Sequence, residues 1–283
     1  MVGSQLNGTA PEYSPRLLRA SPGRLRGVVM SAYLTAIYVF LLAPILIIVL
    51  SSFNPTSANA FPPSGFSFRW YAVFFESASF VNAFRFSIVL GLVSAVLATV
   101  IGLLTAYALV RFMGKRREVG QSMAMLPMMV PHIVISISLL LLLTIIEIPE
   151  MAVLVIGHTI ICLPFTIAGI TASLDGVDEQ FELAARTLGA SRLRVLWEVV
   201  VPLIAPGVLS ALIFAFIVSF GDVYIALFLS GPGSMTLPIE IFTYMQWQST
   251  PVVAAITSIQ ILMIVVLGLL VERLVGLRSV MQI

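Results

Sequence analysis

The chain has 283 residues, of which 59% are hydrophobic and only 10% are charged, and its mean hydropathy is +1.08. Soluble domains are about 45–50% apolar and about 25% charged, so this composition excludes an ordinary soluble protein. The net charge of +2 does not indicate a nucleic-acid partner, and none is expected. We therefore expect an all-α chain that crosses a lipid bilayer several times.

Six stretches without a charged side chain are long enough to cross a bilayer, because a helix needs about 20 residues to span a hydrocarbon core of about 30 Å. They comprise residues 28–50, 86–110, 119–146, 151–174, 199–221 and 241–271. The first stretch is longer than the apolar region of a secretory signal, which has about 7–15 residues, so it predicts a retained anchor. The sequence predicts a polytopic membrane protein with six transmembrane helices.

The basic residues predict the orientation of these helices. Of the 15 Lys and Arg residues, all except Arg69 and Arg85 fall on one side of the six predicted spans. The positive-inside rule therefore predicts that both termini are cytoplasmic. We expect residues 1–27 and 276–283 to form cytoplasmic tails, which flank a membrane domain of residues 28–275.

Residues 51–80 form a long external connection between the first two predicted spans. This connection is rich in aromatic side chains, namely Phe66, Phe68, Trp70, Tyr71, Phe74 and Phe75. Two interpretations stay open. Aromatic residues gather at membrane interfaces, and the same residues would also serve as a docking surface for an external partner.

The connections at residues 111–120 and 147–150 are short, which predicts that the second, third and fourth spans pack as sequential neighbours. Prolines occur inside the predicted spans at Pro127, Pro131, Pro164 and Pro206, which is compatible with a translocation path. The single cysteine, Cys162, excludes an intrachain disulfide and is expected to be a small buried hydrophobic residue.

Residues 175–202 form a cytoplasmic loop with a helical pattern of its own. One apolar face is predicted from Phe181, Ala184, Ala185 and Leu188, and a polar face from Asp178, Glu182 and Arg186. Glu182 and Arg186 have the i, i+4 spacing of a helical ion pair. Gly189 is expected to end this helix, and Ser191 to cap a second short helix that begins at Arg192 and leads up to Pro202.

The same loop resembles the cytoplasmic signature of ABC importer permeases, which reads Glu-Ala-Ala, three residues, Gly, nine residues, Ile-x-Leu-Pro. Ala184, Ala185, Gly189 and Pro202 fall on the signature positions. Leu183 occupies the position of the signature glutamate, and Glu182 lies one residue earlier. Val199 and Val201 replace Ile and Leu and keep the apolar character.

This resemblance implies an all-α type I ABC importer permease in a bacterial inner membrane. It implies that the loop couples to a separate cytoplasmic ATPase through Glu182, Ala184, Ala185, Arg186, Gly189, Ala190, Ser191, Arg192 and Pro202. The implied partners are a second related permease, two ATPase subunits and an external solute-binding protein. The only Gly-Lys pair, Gly114-Lys115, lacks the other residues of a phosphate-binding loop. We therefore expect no cofactor on this chain, and ATP and Mg in the ATPase.

Three further segments resemble the spermidine/putrescine importer permeases. They are Ser51-Ser52-Phe53-Asn54, Phe68-Arg69-Trp70-Tyr71, and residues 228–238 with Gly231-Pro232 and Leu237-Pro238. The resemblance implies that the solute is a polyamine.

Asp222 lies toward the outer part of the fifth predicted span. A carboxylate at a helix centre costs about 2.5–3.5 kcal/mol on insertion scales, so this side chain is expected to face the bundle interior or water. It would compensate the charge of a cationic amine, with Tyr224 as a cation–π partner. Alternatively, Asp222 pairs with Arg85 or a backbone group as a structural lock. Glu240, Tyr244 and Trp247 are candidates for the entrance of the same path.

His132 and His158 lie in separate predicted spans and are expected to form hydrogen bonds inside the bundle rather than to bind a metal. No set of residues suggests an enzyme active site. A stand-alone secondary transporter or channel is the alternative function, and it predicts internal repeats and charged residues along several spans.

Overall fold

A computed structural model describes residues 22–58, 61–146, 148–231 and 233–273, with side chains from residue 26 onward. Within these residues the chain is α-helical and contains no strand. The tails predicted at residues 1–27 and 276–283 lie outside the described residues, except that the first helix already begins at Pro22.

The described part of the chain forms thirteen α-helices. They are α1 (Pro22–Ser51), α2 (Arg69–Glu76), α3 (Ala78–Phe112), α4 (Arg117–Ala124), α5 (Leu126–Met129), α6 (His132–Ile145), α7 (Glu150–Asp175), α8 (Gln180–Thr187), α9 (Arg192–Val195), α10 (Val201–Phe220), α11 (Tyr224–Leu229), α12 (Leu237–Trp247) and α13 (Val252–Val271).

Five of the helical segments are long and apolar enough to cross a membrane without interruption. These are Arg26–Ser51, Ala78–Phe112, Glu150–Asp175, Arg192–Phe220 and Val252–Val271. A sixth candidate consists of two arms, Gly114–Met129 and His132–Ile145, which meet at 86°. The all-α polytopic fold predicted from the sequence is therefore confirmed.

Among the described residues, 22–47 form a compact unit of their own. Within it, α1 continues through Pro44 and carries no acidic residue in its first turn and no basic residue in its last. At a rise of 1.5 Å per residue, the 30 residues of α1 reach about 45 Å. The length of this helix is consistent with the predicted membrane anchor.

The third apolar stretch is not one straight span as predicted. Val130 has the extended backbone angles φ −85° and ψ 127°, so α5 ends there and α6 starts beyond Pro131. Pro131 favours this break, because the proline ring disfavours the helical conformation of the residue before it. The break brings His132 to the first position of α6.

The sixth apolar stretch, predicted as residues 241–271, is likewise interrupted. Gln248 leaves α12 in an extended conformation, and α13 begins after Pro251. Polar residues and a proline separate two apolar helices here, and only α13 is long enough to span the membrane. The candidate residues Glu240, Tyr244 and Trp247 therefore belong to a short helix of their own.

The second helix of the 175–202 loop is not a separate helix as predicted. From Arg192 the helix continues without a break to Phe220, through a π-helical turn at Leu196–Val200. This wider turn precedes Pro202, whose ring has no amide hydrogen and would clash in a regular helical turn. The loop is thus directly continuous with the fifth membrane helix.

Helices α3, α7 and α10 pack against one another and form the centre of the unit that begins at Ile48. Thr166 of α7 donates a hydrogen bond to the Ala98 carbonyl of α3 at 2.9 Å, and Gly102 leaves the space for this close approach. Helix α6 packs mainly on α11 and also touches α7. The third and fourth spans are therefore neighbours, as predicted, and the third span meets the second through α4 and α3, but the main partner of α3 is α7.

Candidate functional site

Helix α8 begins and ends through local signals. The Asp178 carboxylate accepts a hydrogen bond from the Gln180 amide at 2.9 Å before its first turn. At its end, Gly189 has φ +92°, and the Ala190 amide bonds the Ala185 carbonyl at 3.1 Å, which is the Schellman arrangement. Ser191 then accepts a hydrogen bond from the Arg194 amide. The predicted helix stop and the predicted cap are confirmed.

Glu182 is buried, with 5% of its surface exposed. Its Oε1 atom accepts a hydrogen bond from Arg111 Nε at 2.6 Å, and its Oε2 atom accepts one from the Tyr107 hydroxyl at 2.8 Å. The predicted ion pair with Arg186 is replaced by these contacts, because residue 182 lies on the face of α8 that meets α3. We call Glu182, Arg111 and Tyr107 the α8 anchor.

Two more contacts hold the loop to the same end of the bundle, which we call the loop end. The Arg111 guanidinium donates a second hydrogen bond to the Val177 carbonyl at 3.3 Å. Arg117, at the start of α4, forms an ion pair of 2.6 Å with Asp175 at the end of α7. The loop is therefore fixed to α3 and α4 by Arg111 and Arg117, two side chains that in the sequence indicate only the orientation of the spans.

Three large apolar side chains of α8 and its end are exposed. Phe181, Leu183 and Leu188 are 56%, 52% and 90% exposed. Leu193 and Trp197, on the helix that follows, are exposed as well. We call these five residues the outer face of the loop. Each of these apolar side chains is more than half exposed, whereas Glu182, in the same helix as Phe181 and Leu183, is buried.

The remaining predicted coupling residues divide between the two sides. Ala184 and Arg186 are exposed, whereas Ala185 and Ala190 pack against the core of the loop end. The Arg192 guanidinium lies over the Phe112 ring at 5.3 Å from its centroid. Pro202 lies in the first turn of α10. A cavity of about 210 Å³ lies beside these contacts, between α8 and the end of α3. It is lined by Tyr107, Arg111, Phe112, Glu179, Glu182, Leu183, Arg186 and Arg192.

Asp222 lies at the opposite end of the bundle, which we call the far end, in the link between α10 and α11. Its Oδ2 atom accepts a hydrogen bond from the Ile225 amide at 2.7 Å, and its Oδ1 atom lies 3.1 Å from Nδ1 of His132. The expected backbone partner is confirmed. Arg85, the other expected partner, is exposed, and the imidazole of His132 takes its place.

Other polar side chains surround this pair. Tyr224 is half exposed, and its ring meets the His132 ring edge-on at 6.4 Å between centroids. Behind Asp222, Ser219 shares a hydrogen bond of 2.9 Å with His158. Both histidines therefore form hydrogen bonds inside the bundle, as predicted. Cys162 is buried, also as predicted, and its thiol contacts the Ala215 carbonyl.

The candidate entrance residues contact a different helix. Glu240 accepts a hydrogen bond from Ser79 at 2.5 Å, and the Tyr244 ring lies 5.4 Å from the Phe80 ring. Trp247 is 83% exposed. Asp222 and Tyr224 thus cluster with His132, whereas α12 packs against the start of α3.

Two of the runs that resemble the spermidine/putrescine importer permeases, residues 51–54 and 68–71, contact each other between α1 and α3. The Ser52 hydroxyl bonds the Tyr71 hydroxyl at 2.7 Å, and the Trp70 indole donates to the Asn54 carbonyl at 2.7 Å. Two short runs that are distant in sequence therefore meet. Phe66 and Phe68 remain exposed beside them.

A groove of about 680 Å³ runs along the surface of α7 and α10. Its lining is mostly apolar and includes Phe165, Ser173, Gly207, Ser210 and Phe214, and it does not include Asp222. Among the described residues, no three His, Cys, Asp or Glu side chains come close enough together to hold a metal ion.

Residues 98–277 match the family model described as binding-protein-dependent transport system inner membrane component. The chain is 34% identical over 247 residues to the spermidine/putrescine transport system permease protein PotC of Haemophilus influenzae, covering 86% of this chain and 96% of that protein. It is 30% identical over 230 residues to the putrescine transport system permease protein PotI of Escherichia coli, covering 78% and 82%.

A solved structure supports the fold. A chain from a bacterial ABC transporter involved in the import of the acidic polysaccharide alginate superimposes with a TM-score of 0.67 at 18% identity. The superposition covers 93% of this chain and 99% of that chain.

Proposed function

Because the chain belongs to the inner membrane components of binding-protein-dependent transport systems, and is thus a permease subunit of an ABC importer, we propose that it forms half of the translocation pathway for a small polyamine. The other half is a second, related permease. Two ATPase subunits, which bind ATP and Mg²⁺, and an external solute-binding protein complete the importer. Both termini and the loop end face the cytoplasm.

The contrast between the two sides of α8 supports the coupling role. The α8 anchor holds the inner side to α3, while Phe181 and Leu188 are left exposed on the outer side. A short amphipathic helix of this kind is suited to a hydrophobic groove on another protein. We therefore assign the outer face as the surface that enters a groove of the ATPase, and this contrast is the observation that carries the proposal.

One continuous helix transmits movement of the loop to the pathway. Arg192–Phe220 is a single helix, so a displacement of its first turn also displaces the segment that ends beside Asp222. Closure of the ATPases on ATP then moves α8 and this helix together and switches the pathway from inward-open to outward-open. The groove along α7 and α10 is where the sister permease completes the pathway.

The charge of Asp222 supports a cationic solute. A buried carboxylate in a membrane bundle compensates a positive charge, and protonated polyamines carry several such charges. Two relatives, PotC and PotI, are named for spermidine/putrescine and putrescine transport, which supports the same solute class here.

The coupling role is tested by Gly189→Arg in vesicles that hold the assembled importer and its binding protein. We expect assembly and part of the ATP turnover to persist while spermidine uptake is lost, because a bulky charged side chain then stands at the turn of the loop and its φ of +92° is strained for any residue other than glycine. Gln180→Arg is the matched control, since it adds the same charge to an exposed position at the start of α8. Unchanged uptake by Gly189→Arg would contradict the coupling role.

A further inference from the structure

A hydrogen bond between two side chains connects two helix breaks at the far end. His132 is the first residue of α6, directly after the break at Pro131, and Asp222 lies in the break between α10 and α11. Their side chains approach to 3.1 Å. Helix breaks absorb backbone rotation at little cost, so the pair joins the two positions of this region where the backbone is best able to turn.

The two oxygens of Asp222 have unequal partners. Oδ2 accepts from the Ile225 amide, which belongs to the first turn of α11 and moves with it. Oδ1 is held by His132, a side chain from a different helix. An ionised carboxylate only accepts hydrogen bonds, so Nδ1 of the imidazole is the donor whenever Asp222 carries its charge. Of the two contacts, only the one with His132 is broken by a movement of α6 relative to α11.

The burial of the pair is also unequal. The Asp222 side chain is 3% exposed, whereas the His132 side chain is 33% exposed. A buried carboxylate that loses its partner is destabilised unless another donor replaces it. A primary ammonium group has three N–H donors and a positive charge, so it satisfies Oδ1 at least as well as an imidazole does.

We propose that the His132 imidazole is hydrogen-bonded to Asp222 while the pathway is empty. An ammonium group of the solute then displaces the imidazole, and the side-chain link between α6 and Asp222 is released. This inference rests on the proposed function, because it takes Asp222 as a solute contact. His132 is then a positioning and specificity residue: a solute without an ammonium group leaves the pair closed. Tyr224, half exposed beside the imidazole, borders the route by which the amine arrives.

Direct binding of radiolabelled spermidine to the purified importer in nanodiscs, without its external binding protein, tests the displacement. His132→Ala removes the competing donor and is expected to bind spermidine about tenfold more tightly, since a hydrogen bond to a charged group no longer has to be broken. His132→Asn keeps an N–H donor near the position of Nδ1 and is expected to return the affinity to that of the wild type. Asp222→Asn is expected to lose most of the binding.

The outcomes separate this inference from the proposed function. Unchanged or weaker binding by His132→Ala, together with loss of binding in Asp222→Asn, would overturn displacement and leave Asp222 as the solute site. Wild-type binding by Asp222→Asn would overturn the assignment of Asp222 itself.

A measurement on the wild type avoids any folding defect of the variants. The chain contains two histidines, and His158 is 1% exposed. We expect spermidine to increase the rate at which diethyl pyrocarbonate modifies His132 relative to the exposed Lys115 in the intact importer, followed by mass spectrometry of the two peptides. The ratio is used because the amines of spermidine also consume the reagent and slow both reactions. A ratio that stays constant or falls would show that the imidazole is not released.

Discussion

Glu182 and Asp222 are buried carboxylates at the two ends of one helix bundle, and their partners differ. Glu182 has a donor on each oxygen, Arg111 and Tyr107, and both donors come from α3. Asp222 has one backbone donor and one imidazole from a separate helix. A carboxylate whose partners belong to one rigid helix acts as a fixed anchor, whereas one that bridges two helix breaks is able to exchange a partner.

Replacing each acid by its amide measures this difference. Glu182→Gln leaves the Arg111 guanidinium buried without a counter-charge, and we expect a loss of about 3 kcal/mol in the free energy of unfolding. Asp222→Asn keeps an oxygen for the Ile225 amide, and we expect a loss of about 1 kcal/mol. Detergent-solubilised protein is titrated with a denaturant to compare the two variants. The exposed Glu179→Gln is the control, and equal losses at the two sites would contradict the comparison.

The anchor is open to a second test, which removes both charges. Arg111→Met combined with Glu182→Leu is expected to recover most of the stability lost by either single substitution, because apolar side chains of similar volume often replace a buried ion pair at little cost. The double-mutant cycle is read from the same unfolding titrations. Additive losses would show that the two side chains do not act as a pair.

The sequence predicts those features of the two regions that depend on neighbours along the chain. Gly189 ends α8 and Ser191 caps the next helix because these signals act within a few residues. The predicted face of Glu182 is wrong, because its partners on α3 are 71 and 75 residues away in sequence. No local pattern indicates which side of a short helix will meet another helix.

The same limit explains the far end. Pro131 is visible in the sequence, yet whether a proline breaks or merely bends a membrane helix depends on its surroundings: Pro164 and Pro206 lie inside continuous helices. The pairing of His132 with Asp222 joins residues 90 positions apart. Hydropathy therefore predicts the apolar segments, whereas the breaks that give the segments their functional contacts follow from tertiary packing.

The stability of the turn at Gly189 is expected to be sensitive to a single added methyl group. Gly189 has φ +92° and no atom within 4 Å of an added Cβ, so Gly189→Ala acts through backbone strain alone. We expect a cost of about 1 kcal/mol, measured as faster hydrogen exchange of the Ala190 amide, whose bond to Ala185 closes the turn. Gly176→Ala, at a position with ordinary helical φ, is the control and is expected to have no effect. Equal exchange in both variants would contradict the strain.

The smallest effect is expected from the ion pair of Arg117 and Asp175. Its N–O distance of 2.6 Å equals that between Arg111 and Glu182, but its side chains are 31% and 45% exposed rather than 11% and 7%. Water and salt screen an exposed pair, so Arg117→Gln is expected to cost less than about 1 kcal/mol, and still less in about 1 M salt. Arg111→Gln, measured beside it by the same unfolding titration, is expected to cost several times more at either salt concentration. Similar losses for the two arginines would mean that burial does not distinguish these contacts, and the α8 anchor would then be no more than a surface ion pair.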